Sequence, residues 1–351
     1  MNRRLRILRF VATKSGRYAW QSLKNLIKFF LGRKPYYDWR LVFIRKYLLH
    51  LTGLCPIRGI TSVDPSGREG PGSQANLIMN AINFARISGI PYLHTPLKNV
   101  FGADRPMQEW AAAWESLFNL GVDEVACDPG RRDVVNYCID DWFDIELCFG
   151  WQDRAEQLSH HFKSMIPEFR RKYYSDKSPG ATNEVTVAVN IRRGEVSADR
   201  NNRLFTATEI VRQTTSDVRT SLDSLRIPYS IRVYSQGEVT EFEELAPLGV
   251  EFILNADPIW TIRELIEADI LIVANSSFSF YAGIISDGIK IFEPNLVTPV
   301  YNMFMPSWGW TVLFPEDDWF PRRKDGSIDA AAFERQVSLL IEAKKKARQM
   351  R

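Results

Sequence analysis

The chain has 351 residues, 45% of them hydrophobic and 25% charged, with a formal net charge of +3. That length suits two domains better than one, and that balance excludes a disordered or fibrous chain. The charge is unevenly spread: residues 1–50 hold thirteen Lys and Arg against the single acid Asp38, while the other 301 hold 32 basic and 41 acidic side chains.

A mildly acidic body therefore carries a basic arm, residues 1–55, and the sign of the body argues against a nucleic-acid partner. The apolar runs of the arm, LIKFFLG and WRLVFIRKYLLHL, are broken by Lys or Arg every few residues. A spanning helix needs ~20 uninterrupted apolar positions, and a signal peptide needs an unbroken apolar core. Trp20, Phe29, Phe30, Leu31 and Tyr36 stand among the cations, a mixture that suits a helix lying in an anionic membrane surface. A helical hairpin packed on the body with its basic face in water fits the same pattern, and both readings stand. Cys55, Cys127, Cys138 and Cys148 lack CxxC spacing, and His50, His94, His160 and His161 lack a HExxH frame. The expectation is reduced thiols in a cytoplasmic protein, with no metal site and no cofactor.

After the arm, Gly67, Gly70 and Gly72 form a turn, and Ser73 is the expected N-cap of a helix with Leu77, Ile78, Ala81, Ile82 and Ala85 on one face. Gly89 closes it and Pro91 leads into a strand over 92–95. MQEWAAAWESLFNLG reads as a helix, 122–126 as a strand, and 152–173 as another helix. The polar stretch SDKSPGATNE, residues 175–184, is the expected linker between an N-terminal domain (56–175) and a C-terminal one (183–325). Beyond it VTVAVNI is a strand, 207–225 a helix, PYSIRVYS a strand, EFEELAPLG a short helix and VEFIL a strand. Asp257-Pro258 reads as N-cap and first residue of a helix running to Ala268. DILIVAN is a buried strand, NSSFSFYAGIISDG a turn and helix, and IKIFE a strand. The aromatic segment with Trp308, Trp310, Trp319 and Phe320 reads as core beneath a surface loop. The C-terminal helix (326–351, helical from about Asp329) is expected to pack back on the N-terminal domain. Short apolar strands alternating with helices imply an α/β fold with parallel, doubly wound sheets.

In such sheets ligands sit at the carboxyl ends of strands. Three features fall there. Arg192 and Arg193 follow the strand VTVAVNI, with Gly194 to turn the backbone, and their planar forks match phosphate oxygens. Asn275, Ser276 and Ser277 follow DILIVA and open a helix, as does the glycine turn at 67–73.

Those stretches resemble a family. VNIRRGEV is similar to the His-x-Arg-Arg-Gly-Asp stretch of the fucosyltransferase superfamily, which includes α-1,2- and α-1,6-fucosyltransferases and protein O-fucosyltransferases. GREGPGSQANLIMNAINFAR, IRVYSQGEVTEFEEL and ADILIVANSSFSFYAGIISDG resemble its other motifs, so the likeness covers about residues 64–295. The resemblance implies a GT-B fold of two Rossmann-like domains facing a cleft. It also implies inverting, metal-independent transfer of fucose from GDP-fucose or a related nucleotide sugar. Carried over, Arg193 and Arg192 hold the pyrophosphate. Ser276, Ser277 and Phe278 contact phosphate and nucleoside, and the span Gln236 to Glu238 lies near base or ribose. Gly72, Ser73 and Gln74 line the acceptor wall.

Asn190 stands for the family's His, Glu195 for its Asp and Ser73 for its Asn, which leaves the donor sugar open. An inverting transfer needs a base near the acceptor hydroxyl. Glu195, Asp199 and Glu69 are the candidates; Glu195 also suits a structural ion pair, and a glutamate in the glycine loop has a counterpart in some protein O-fucosyltransferases. The expected acceptor is a glycan or lipid-linked glycan of a bacterial surface polysaccharide. The basic arm is expected to hold the enzyme at the inner face of the cytoplasmic membrane. The alternative is a non-catalytic glycan- or nucleotide-binding protein on the same fold.

Overall fold

The computed structural model describes residues 46–47, 49–51, 53–63, 70–98, 100, 106–128, 130–131, 133–137, 152–178, 184–194, 196–199, 205–292 and 319–349, with backbone alone at 152–160, 319 and 345–349. The rest of the basic arm, Glu69, Glu195, Trp308 and Trp310 lie outside the described residues.

In chain order the N-terminal half holds β1 (Gly59–Thr61), α1 (Pro71–Ser88), β2 (Leu93–His94), α2 (Met107–Phe118), β3 (Val125–Ala126), β4 (Val134–Asn136) and α3 (Gln152–Tyr173). The C-terminal half holds β5 (Val185–Asn190), α4 (Thr208–Ser224), β6 (Tyr229–Ser235), a 3₁₀ helix (Val239–Leu248), β7 (Glu251–Leu254), α5 (Pro258–Glu267), β8 (Ile270–Ile272), α6 (Ser277–Ile285), β9 (Ile289–Phe292), β10 (Trp319–Pro321) and α7 (Ala330–Gln349).

β5 to β10 form one sheet in the order β10-β9-β8-β5-β6-β7, and every pair in it is parallel. Counted from β5 this is the doubly wound order 3-2-1-4-5-6 of a Rossmann sheet. Strand residues alternate between its two faces. Val185, Val187 and Val189 turn toward α4, α7 and the 3₁₀ helix, whereas Ala188 and Leu271 turn toward α5 and α6. The N-terminal half repeats the opening of that order on a smaller scale. β1 pairs with β4 and β2 with β3, all parallel, and the bridge Ile60–Tyr92 joins the two pairs as β3-β2-β1-β4. The α/β expectation holds in both halves.

The two halves share a core. α1 and α3 of the N-terminal half pack on α6, and one cluster runs from Ile78 and Phe84 through Trp114 and Phe169 to Phe280 and Ile284. A Cβ on Gly72, in the first turn of α1, would lie 2.7 Å from the N and Cα of Phe278, so only glycine permits this approach of two helix starts.

Several expectations are corrected. α1 starts at Pro71 with Gly70 as N-cap, so Ser73 lies inside the first turn; the proline fixes the φ that begins a helix. α7 packs on α4 within its own half, because its stripe Phe333 and Val337 joins Val211, Val218 and Leu222 under the C-terminal sheet. Lys344 also pairs with Asp269 at 2.5 Å. Phe320 is buried as expected, but as part of the edge strand β10 rather than beneath a loop. Where the arm ends, Tyr47 is buried with its ring 5.0 Å from that of Phe84.

Candidate functional site

The chain leaves β5 toward α4 on one face of the C-terminal sheet and leaves neighbouring β8 toward α6 on the other. Loops that diverge in this way open a crevice at the carboxyl ends of the two strands. The structure places Arg192, Arg193 and Gly194 after β5, the span Gln236 to Glu238 after the adjacent β6, and Ser276 to Phe278 after β8. Three stretches about forty positions apart in sequence thus meet along one edge of the sheet.

Side chains tie the loops together. Ser235 Oγ donates to the Ile191 carbonyl at 2.9 Å, joining the ends of β5 and β6. Asn255, just after β7, clamps Gly237 from both sides: its Oδ1 accepts from the Gly237 N–H at 3.0 Å and its Nδ2 donates to the Gly237 carbonyl at 2.9 Å. Gly194 has φ of +77°, a conformation that favours glycine, and a Cβ there would meet Gln236 Oε1, so the β5 and β6 loops touch at this turn.

Arg193 is 6% exposed. Its guanidinium lies 4.4 Å from the Phe205 ring and 5.8 Å from Phe242, donates to the Arg192 carbonyl at 2.9 Å, and donates to Thr208 Oγ1 at 2.9 Å. Burial pulls its pKa below the ordinary arginine value, opposed by the nearby charge of Glu241. Among the described residues no carboxylate pairs with it at ion-pair distance. Arg192, by contrast, is half-buried.

Glu238 caps the 3₁₀ helix: its carboxylate accepts from the Glu241 N–H, and its own N–H donates to Glu241 Oε1 at 2.9 Å. Gln236 is exposed beside it. Ser276 caps α6, its Oγ accepting from the Phe278 N–H at 3.3 Å, and Ser279 Oγ accepts from the Ala274 N–H at 3.0 Å. Ser277 and Phe278 are half-buried in the first turn, where N–H groups and the helix dipole favour an anion. Across them stands the start of α1, with Gly72 against Phe278 and no acidic side chain in its first turn. Gln74 is buried on α1 and Ser73 is half-buried. Asp199 is exposed in the loop after β5.

A cavity of ≈ 950 Å³ lies elsewhere, along the carboxyl end of β2. His94 and Glu115 meet in its wall at 2.7 Å. Nothing in the sequence marks this pair, because the two residues are 21 positions apart on different elements and share no motif.

No family model matches the chain, and no curated protein matches it. Among solved structures it is similar to the E. coli heptosyltransferase WaaC with ADP, at 11% identity over 82% of this chain and 99% of that one, with a TM-score of 0.36. A likeness that loose carries no argument about this chain's activity.

Proposed function

We propose that the protein is a glycosyltransferase that binds a nucleotide sugar, most simply GDP-fucose, at the carboxyl ends of β5, β6 and β8. It passes the sugar with inversion, and without a metal, to a glycan or lipid-linked glycan of a bacterial surface polysaccharide. The observation that carries this reading is the convergence of three motif stretches on one crevice of a Rossmann-ordered sheet. In the proposed reaction the acceptor oxygen attacks the anomeric carbon as the bond to the diphosphate breaks. The acceptor proton goes to a carboxylate, for which Glu195 and Glu69 are the candidates. Arg192, Arg193 and the start of α6 would offset the charge growing on the departing diphosphate, an electrostatic task. Gly72, Ser73 and Gln74 form the facing wall.

The basic arm would hold the protein on an anionic membrane surface on the cytoplasmic side; no helix among the described residues is long and apolar enough to cross a membrane. Vesicle sedimentation at low and high salt tests that, with a truncation ending before Lys46 so that Tyr47 stays in the core.

One observation favours a second reading, a non-catalytic nucleotide- or glycan-binding protein: two donors of Arg193 are already engaged within the chain. Incubation with a panel of labelled nucleotide sugars decides. Release of nucleoside diphosphate from one donor supports the transferase; binding without release supports the second reading, and neither binding nor release removes both.

A further inference from the structure

The cavity beside β2 uses none of the motif residues. One wall is a single face of α2, where Gln108, Ala111, Ala112 and Glu115 recur at helical spacing. The other face of α2 carries Trp114 and Phe118, whose rings pack on Phe278 and Tyr281 of α6 at 6.2 and 4.5 Å between centroids. The groove and the start of α6 therefore meet different faces of one helix.

Glu115 is held in a fixed pose. Its Oε1 lies 2.7 Å from His94 Nε2, and its Oε2 accepts from the Leu97 N–H at 2.9 Å. His94 is buried, with its Nδ1 3.3 Å from the Tyr92 hydroxyl. Burial, reinforced by the charges of Glu115 and Glu124, raises the Tyr92 pKa well above its usual value, so that hydroxyl keeps its proton and can donate to Nδ1. With the Tyr92 hydroxyl as donor to Nδ1, the ring proton is assigned to Nε2, facing Glu115. Gly121 is shaped to the same ring: a Cβ there would come within 2.5 Å of His94 Cδ2. Each carboxylate oxygen accepts one bond from the protein and retains further lone-pair capacity on the groove side, where Glu115 is 24% exposed. An acceptor immobilised in this way has little conformational entropy left to lose on binding.

The volume is of the class that holds small molecules. A cationic ligand would meet Lys98, and an anionic one would meet Glu115. Fixed acceptors beside the amide of Gln108, the hydroxyl of Ser116 and the small apolar Ala111 and Ala112 suit a neutral ring with hydroxyls at its edge and C–H groups on its faces. We propose that this groove is a saccharide-binding site in which Glu115, positioned by His94, accepts hydrogen bonds from ligand hydroxyls. The inference rests on the sugar-transfer reading and deepens it, giving the acceptor glycan a place to lie outside the crevice.

The test is ligand-observed saturation-transfer NMR and calorimetry on the full chain with five neutral probes: maltotriose, cellotriose, chitotriose, mannotriose and 2′-fucosyllactose. GDP is titrated in parallel. At least one saccharide should bind. Glu115→Gln should weaken it about tenfold, the worth of one charge-assisted hydrogen bond. Ala112→Trp, which fills the groove from an exposed helix position, should abolish binding. Both variants should keep the GDP affinity of the parent. The proposal is overturned if none of the five binds, or if binding survives both substitutions unchanged. Saccharide binding without GDP binding would retain the groove and remove a GDP-sugar as the donor; GDP binding without saccharide binding would do the reverse.

Discussion

Gly72→Ala puts the junction of the two halves to a direct test. In an open helix, alanine for glycine stabilises by about 1 kcal/mol. Here the new Cβ would lie 2.7 Å from the N and Cα of Phe278 and from the carbonyl carbon of Ser277. Carbon atoms pack at about 3.5–4.0 Å, so α1 and α6 must part by roughly 1 Å. The atoms in the way are backbone, and no rotamer change relieves them. Overpacking of that kind costs about 1–3 kcal/mol and exceeds the propensity gain. The predicted result is a melting temperature lower by a few degrees, at about 2 °C per kcal/mol or less for a chain this long. Because the first turn of α6 borders the crevice, GDP affinity should fall with it. Gly70→Ala is the control: Gly70 has φ of −67°, and a Cβ there meets nothing within 4 Å. Calorimetric melting and GDP titration of both variants read the outcome. If Gly72→Ala melts at or above the parent and binds GDP equally well, the account of the junction is wrong.

Arg193→Ala removes a buried guanidinium from between two phenylalanine rings and should cost about 1–3 kcal/mol in urea unfolding, and Arg192→Ala should weaken GDP binding. Lys172 is fully buried, pairing with Glu124 Oε1 at 2.9 Å and donating to the Val122 carbonyl; Glu124→Ala should therefore cost about 3–5 kcal/mol by stranding the ammonium, and a loss under 1 kcal/mol would refute the role. Burial pushes the hydroxyls of Tyr174 and Tyr234 up to about 12, so the unfolded chain ionises first. Their contribution is present below pH 10 and is lost as pH rises toward 12; melting should drop across that window, and Tyr234→Phe should flatten the drop.

Local order was largely legible in the sequence. The period-two run VTVAVN, the helix Gln152–Tyr173 and the Asp257-Pro258 start of α5, where Asp257 Oδ1 accepts from the Trp260 N–H at 2.9 Å, express rules that act within a few residues. The two Rossmann-like halves and the placing of Arg192, Arg193 and Ser276 at strand ends follow from such runs, because parallel strands need helical crossovers. Other features depended on contacts between distant segments. The three-residue strands β1 and β4 are too short to show a period and exist through pairing with each other. α7 chose its partner by which apolar face remained uncovered. Arg193 reads in sequence as a cation aimed at a ligand, yet Phe205 and Phe242 enclose it, and His94 met Glu115 only once β2 and α2 had packed. Propensity and capping act along the chain and are written in its order, whereas burial depends on what arrives from elsewhere, and only the folded chain decides it.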